Sequence, residues 1–318
     1  VTSAAGRPAA PAAPVLRISR APFRLRTGLS REVVLGRGGR LLIAGGLTRS
    51  GRSSRAVTWL DPVTGRTAPA GRLIAPSHDA AGALAGGRAY LFGGGGDAIV
   101  ASVQSLPGRG GARLVGHLPG ARTDLAAAVI GRTAYVLGGF DGVSYDSQVL
   151  ATTDGRHFRV AATLPVPVRY GAVAAAGGRI WVFGGQVPGG YTSVIQRVRP
   201  AAGHAAVAGR LPHPLAGASA VTIGGRIYLA GGQRAVGGGR TAGPSAPLVT
   251  SRAVLSYRPG TGRLTRAGRL PAPVAYAGAA AADGSVFLVG GENDEGRQVP
   301  TVTRLRLVPR ARPAPGRS

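Results

Sequence analysis

Paired glycines close a short apolar run six times along this chain: Gly45-Gly46, Gly93-Gly94, Gly138-Gly139, Gly184-Gly185, Gly231-Gly232 and Gly290-Gly291. Their successive intervals are 48, 45, 46, 47 and 59 residues. Three positions before each pair stands a large apolar or aromatic residue: Leu42, Tyr90, Tyr135, Trp181, Tyr228 and Phe287. Twenty positions before each pair stands a leucine: Leu25, Leu73, Leu118, Leu164, Leu211 and Leu270. A period of this length marks copies of one supersecondary unit that buries its apolar faces against its neighbours.

Each unit reads as four strands. In the fourth unit, Gly171 to Ala176 is a small-residue run suited to a crowded centre, and Gly177-Gly178 makes a turn. Arg179 to Phe183 is a buried strand, Ser193 to Arg199 alternates as a half-exposed one, and His204 to Ala208 completes the set. Period-two alternation with Gly and Pro punctuation supports strands throughout. Long helices are disfavoured by 54 Gly and 24 Pro, since Gly costs about 1 kcal/mol per helical position relative to Ala. Disorder is disfavoured by the 44% of hydrophobic residues.

Four-stranded repeats of this length build a β-propeller. The expected fold class is therefore all-β, a six-bladed propeller of four-stranded blades. The last unit lacks a fourth strand before Pro309, while Val15 to Ser19 occupies the place of a fourth strand ahead of Leu25. This N-terminal strand is expected to complete the last blade and close the ring, which protects two sheet edges. Residues 15–308 then form the propeller, 1–14 an Ala/Pro-rich linker and 309–318 an Arg/Pro-rich tail. The longest interval holds an insertion, Ala235 to Pro247, whose composition reads as a flexible surface loop.

At the level of motif the chain resembles the kelch-repeat family. The resemblance rests on Gly-Gly after an aromatic-bearing strand (Tyr90 to Gly94, Trp181 to Gly185, Tyr228 to Gly232) and on Leu-Pro followed by Arg122 and Arg169 in the third and fourth units. The family's second aromatic, late in each blade, is mostly missing, with only Phe158 near that place, so the resemblance is to a diverged member.

Charge and composition bound the function. The chain carries 39 arginines, no lysine and 12 acidic residues, a formal net charge of +27. An Arg-only excess suggests codon bias, and Arg197, Arg199, Arg304 and Arg306 alternate on outer strands, where charge discourages edge pairing. The same field would attract polyanions, so an anionic cell-surface polymer is a candidate partner. Nucleic acid is disfavoured because no aromatics are interleaved with the arginines. Cysteine is absent, which excludes disulfides and thiolate metal sites. It also excludes the activity of copper-radical galactose oxidases, which share this type of propeller but need a cysteine–tyrosine crosslink. No stretch of 18 apolar residues spans a membrane, and the linker-like start fits an extracellular or cell-envelope protein whose signal or anchor lies outside this chain.

The register also predicts a site. In a four-stranded blade, the loop entering strand one and the loop joining strands two and three open on one face. Fourteen positions before the glycine pairs stand Arg31, Asp79, Asp124, Tyr170, Gly217 and Tyr276, and one position earlier Ser30, His78, Thr123, Arg169, Ala216 and Ala275. The loops after the pairs add Phe140, Asp141, Gln186, Gln233, Glu292, Asn293 and Asp294. Asp79, Asp124, Asp141, Glu292 and Asp294 are thereby expected to converge on one mouth of a basic protein.

The candidate ligand-binding residues are Arg31, His78, Asp79, Asp124, Asp141, Arg169, Tyr170, Gln186, Gln233, Tyr276 and Glu292. A concave mouth of polar and aromatic groups suits a glycan, peptide or protein partner, and a non-enzymatic binding propeller, monomeric, is the first expectation. The alternative implied by the resemblance is a mutarotase- or epimerase-type sugar enzyme; His78, Asp124, Arg169 and Glu292, by their position at the mouth and not by a family motif, are the candidates for proton transfer. The blander reading has Asp79 and Asp124 accepting turn bonds or pairing with Arg31 and Arg169. His117, His157, His204 and His213 are spread without metal-ligand spacing, so no metal or cofactor is expected.

Overall fold

The structure, a computed structural model, describes residues 14–237 and 239–310. The linker and tail expected at the two ends lie outside the described residues, apart from Pro14, Pro309 and Arg310. The chain is all-β, and among the described residues one 3-10 turn, Pro200–Ala202, is the single helical element.

Among the described residues six antiparallel sheets have four strands each. The fourth sheet shows the pattern: Ala172–Ala176, Arg179–Phe183, Val194–Arg199 and His204–Arg210, hydrogen-bonded in that order. The sixth sheet is made from the two ends of the chain. Its order is Gly278–Ala282, Ser285–Val289, Thr301–Val308 and then Val15–Arg24. Val15 faces Val308 and Arg24 faces Thr301. The N-terminal strand is longer than the Val15 to Ser19 segment legible from alternation. The repeated antiparallel sheets give a propeller-like repeat protein.

Small side chains explain how the first strands of the sheets meet. Ala81, Ala83 and Ala85, then Ala172, Ala174 and Ala176, are buried along them. Each first strand touches that of the next sheet, and Gly278–Ala282 of the sixth touches Val33–Arg37 of the first. There the backbones approach so closely that a Cβ on Gly36 would strike the Ala281 carbonyl.

The core lies between sheets. Leu35, Leu42 and Val57 of the first sheet pack on Leu91 and Leu106 of the second. Val34, Leu41 and Ile43 on the opposite face of the first sheet pack on Phe287, Val289 and Val302 of the sixth. The large residue three positions before each glycine pair falls in a different inter-sheet cluster, one per copy. Each such burial stabilises by about 1.5–3 kcal/mol. Leu73, Leu118, Leu164, Leu211 and Leu270 are likewise buried.

The glycine pairs are joints between successive sheets. The second glycine of each donates its N–H to the following repeat: Gly46 to Ser77, Gly94 to Arg122, Gly139 to Val168, Gly185 to Leu215, Gly232 to Val274, and Gly291 back to Leu29. At Gly184 φ is +60° and an added Cβ would strike the Leu215 carbonyl, so both conformation and contact require glycine.

The insertion lies at the surface as expected, most of its described residues being exposed, but part of it is ordered as strand. It is not a wholly irregular loop: Thr241–Ala242 pairs with Tyr191 and Thr192 of the fourth repeat. Ala235 and Ala242 pack with Tyr191 and Ala216 in a small apolar cluster. These two buried alanines tether a segment that is otherwise largely exposed.

Candidate functional site

Six left-handed residues form the hub of one face. Arg31, Asp79, Asp124, Tyr170, Gly217 and Tyr276 all have φ between 51° and 62°, and they are the residues fourteen positions before the glycine pairs. Each donates its N–H to the carbonyl of the one before: Asp79 to Arg31, Asp124 to Asp79, Tyr170 to Asp124, Gly217 to Tyr170, Tyr276 to Gly217, and Arg31 to Tyr276. The six bonds, 2.7–3.1 Å long, form a closed circuit. The preceding residues pair across their own repeats with the loops after the glycines: His78 with Gly95, Thr123 with Phe140, Arg169 with Gln186 and Ala275 with Glu292. The turn chemistry therefore fixes which side chains meet.

Arg31 lies at the centre of the knot they form. Its Nε donates to Glu292 Oε1 at 2.7 Å, and its Nη1 donates to Asp79 Oδ2 at 3.0 Å and to the Tyr170 hydroxyl at 2.8 Å. The Tyr170 hydroxyl in turn donates to Asp79 Oδ2 at 3.3 Å. The guanidinium also lies over the Tyr276 ring, 4.3 Å from its centroid, a favourable cation–π arrangement. Burial works against the Arg31 charge, but Asp79, Glu292 and Tyr170 outweigh it and hold its pKa above the ordinary value. Burial pushes the Asp79 carboxyl up, with Arg31 opposing. It also raises the Tyr170 phenol, with Asp79 adding to the effect.

A second knot stands beside the first. Arg169 donates to Gln186 Oε1 at 2.6 Å and to Asp124 Oδ2 at 3.1 Å. Its guanidinium sits 5.0 Å from the Phe140 ring and 5.3 Å from the Tyr145 ring. Gln186 donates onward to the Tyr191 hydroxyl, and the Tyr276 hydroxyl donates to Gln233. His78 is half-buried, 2.9 Å from the Ser53 hydroxyl through Nδ1 and 3.7 Å from Asp79 through Nε2. Burial and then Arg31 lower its pKa. An open depression of about 390 Å3 is lined by Arg31, His78, Asp79, Asp124, Arg169 and Tyr170, with Phe140 at its wall.

No protein-family model matches the sequence, and no curated protein does. Among solved structures, that of YjhT superposes with a TM-score of 0.75, at 18% identity, over 88% of this chain and 95% of that one. The likeness shows the fold alone.

Ten of the eleven expected ligand-binding residues thus stand in or beside the two knots. Asp141 does not. Its Oδ1 accepts the N–H groups of Val143 and Ser144 at 2.7 and 2.6 Å in an exposed turn, and these bonds hold its pKa low. Asp294 accepts the Thr250 N–H instead of facing the hub. The gathering of acids is therefore Asp79, Asp124 and Glu292, joined by one that the register did not indicate.

That acid is Glu32, buried one residue beyond Arg31. It accepts the Gly278 N–H at 3.1 Å through Oε1, while Oε2 has no hydrogen-bond partner. Burial raises its pKa to about 8. Tyr145, Tyr191 and Ser53 were also missed, because each reaches the hub from a position that carries no register mark, Tyr191 from the short strand Gly190–Thr192. Arg122 and Arg169 both follow a Leu-Pro step, but at four and five residues after the leucine, and they differ in place. Arg122 lies two residues before Asp124, buried and paired with Asp146 Oδ2 at 2.6 Å.

Among the described residues no three His, Asp or Glu side chains are grouped to hold a metal ion. No helix there is long and apolar enough to cross a membrane.

Proposed function

We propose that the chain is a six-bladed kelch-type β-propeller, closed by Val15–Arg24 in its last blade, whose hub face binds a neutral glycan. The blade count and closure are supported by the six four-stranded sheets and by the hydrogen-bond circuit of the hub.

The observation that carries the binding reading is the internal pairing of the site. Arg31 is matched by Asp79 and Glu292, and Arg169 by Asp124. A ligand therefore meets charged groups that are already compensated and rigidly aimed. Such groups retain spare donor and acceptor capacity, which suits vicinal hydroxyls better than another charge. Phe140, at the wall of the depression, offers an apolar ring for the C–H face of a sugar.

The test is an oligosaccharide array read at low and high salt. Binding that survives salt and falls at least about tenfold in Tyr170→Phe and Asp124→Asn supports a built site, since each change removes about 1.4 kcal/mol or more of hydrogen bonding. Neutral glycans that bind neither the parent nor the variants overturn it.

One observation favours a second reading, acid–base chemistry on a sugar. Asp79 has its pKa raised and stands within hydrogen-bond reach of Tyr170 and close to His78, the kind of tuned group that proton transfer uses. Exchange between sugar anomers, followed by NMR and abolished in Asp79→Asn, would establish it.

A further inference from the structure

The outer rims of the sheets are unequally charged. In the first four sheets the outermost strands, Thr67–Ser77, Arg113–His117, Arg159–Thr163 and His204–Arg210, carry one arginine each. One charge per edge is enough to discourage edge pairing. The fifth and sixth sheets carry three each: Arg263, Arg266 and Arg269 on Arg263–Arg269, and Arg17, Arg20 and Arg24 on Val15–Arg24. All six are exposed. The two strands are neighbours in space, with Ile18 lying against Gly268. Neither strand, nor its partner Ala253–Arg258 or Thr301–Val308, contains an Asp or Glu.

Strand register adds a second, independent observation. Arg17 stands directly opposite Arg306, and Arg258 directly opposite Arg263. Like charges at directly opposed positions destabilise a sheet. Among the described residues none of these four guanidinium groups has a carboxylate within 4.0 Å; the ion pairs all lie elsewhere. An anionic group set between each pair would turn repulsion into two charge-assisted contacts, the geometry that the arginine fork favours.

We propose that the rim formed by the fifth and sixth sheets binds a linear anionic glycopolymer bearing phosphate, sulfate or carboxylate groups. The choice of a glycopolymer over nucleic acid follows from the aromatics on these four strands. Phe23 packs against Gly65 and Tyr257 is buried, so bases have no stacking platform. The surface is separate from the hub, whose arginines are internally paired. Asp294 and Glu295 line a groove between the sixth sheet and the connection 271–274, beside Arg20, which directs the polymer toward the two facing arginine pairs.

The experiment is titration of the full chain with dextran sulfate at several salt concentrations. The rim variant Arg17→Gln/Arg258→Gln/Arg263→Gln/Arg306→Gln is compared with Arg72→Gln/Arg113→Gln/Arg159→Gln/Arg210→Gln, which removes the same charge from the other rims. The rim variant is expected to bind at least about tenfold more weakly near 0.15 M salt, with a shallower salt dependence, while the control changes by less than about threefold. Freed of two like-charge pairs, the rim variant melts no lower than the parent. If it does unfold, the double variants of each pair separately carry the comparison. Equal loss in the rim and control variants would show that net charge alone attracts the polymer, and would overturn the proposal. Absence of binding by the parent does the same. Single-stranded DNA of matched charge that binds more tightly, at the same residues, would give the surface to nucleic acid instead.

Discussion

Five of the six hub residues adopt a left-handed backbone without being glycine. For Tyr170, Tyr276 and Arg31 this conformation costs roughly 1–2 kcal/mol each, and it is tolerated because a hydrogen bond and a buried partner hold each one in place. Beside them Glu32 carries a different burden, a carboxyl sealed from water with one oxygen unpartnered. An acid whose folded pKa lies above its unfolded one holds more protons folded than unfolded between the two values. The contribution of Glu32 to stability then falls as pH rises from about 4.5 to about 8, and stays level above. Glu32→Gln is expected to melt higher than the parent at pH 9 and close to it at pH 4, as followed by thermal denaturation across pH. The register located Arg31 by its distance from a glycine pair, yet nothing in the spacing marked Glu32. Which neighbour turns inward depends on the backbone torsions of the turn. Asp141 was misplaced for the converse reason: an Asp can satisfy its own loop backbone, and two nearby N–H groups outcompeted the hub.

Among the elements, the glycine pairs do more than end a strand. Gly184 meets the Leu215 carbonyl of the next repeat, whereas Gly177, also at positive φ, lies in a hairpin turn with nothing within 4 Å. Gly177→Ala therefore carries only the conformational cost, about 1 kcal/mol. Gly184→Ala adds displacement of the neighbouring backbone and is expected to cost on the order of 3 kcal/mol, a difference measurable by urea denaturation. The strand pattern itself was legible, because alternation and paired-glycine turns report local geometry. The strand Thr241–Ala242 was not, since its partner Tyr191 lies in another repeat. The one-residue difference between Arg122 and Arg169 was legible, since they stand four and five residues after their leucines.

At the scale of the whole molecule, charge was the property that sequence rendered least well. Along the chain the arginines look evenly scattered. Strand order brings Val15–Arg24 beside Arg263–Arg269, residues from opposite ends of the sequence, and the unevenness appears only then. The hub acids were more legible because they recur with the same period as the glycines. The circuit of six hub bonds has a further consequence. In a linear stack of repeats the terminal units fray, and protection is graded from the middle outward. A circuit has no terminal unit, and breaking one bond opens the path to all. The amides of Arg31, Asp79, Asp124, Tyr170, Gly217 and Tyr276 are therefore expected to exchange with deuterium at one common slow rate. Faster exchange confined to the Arg31 amide, which donates to the Tyr276 carbonyl of the last repeat, would reveal that this one joint opens independently of the rest.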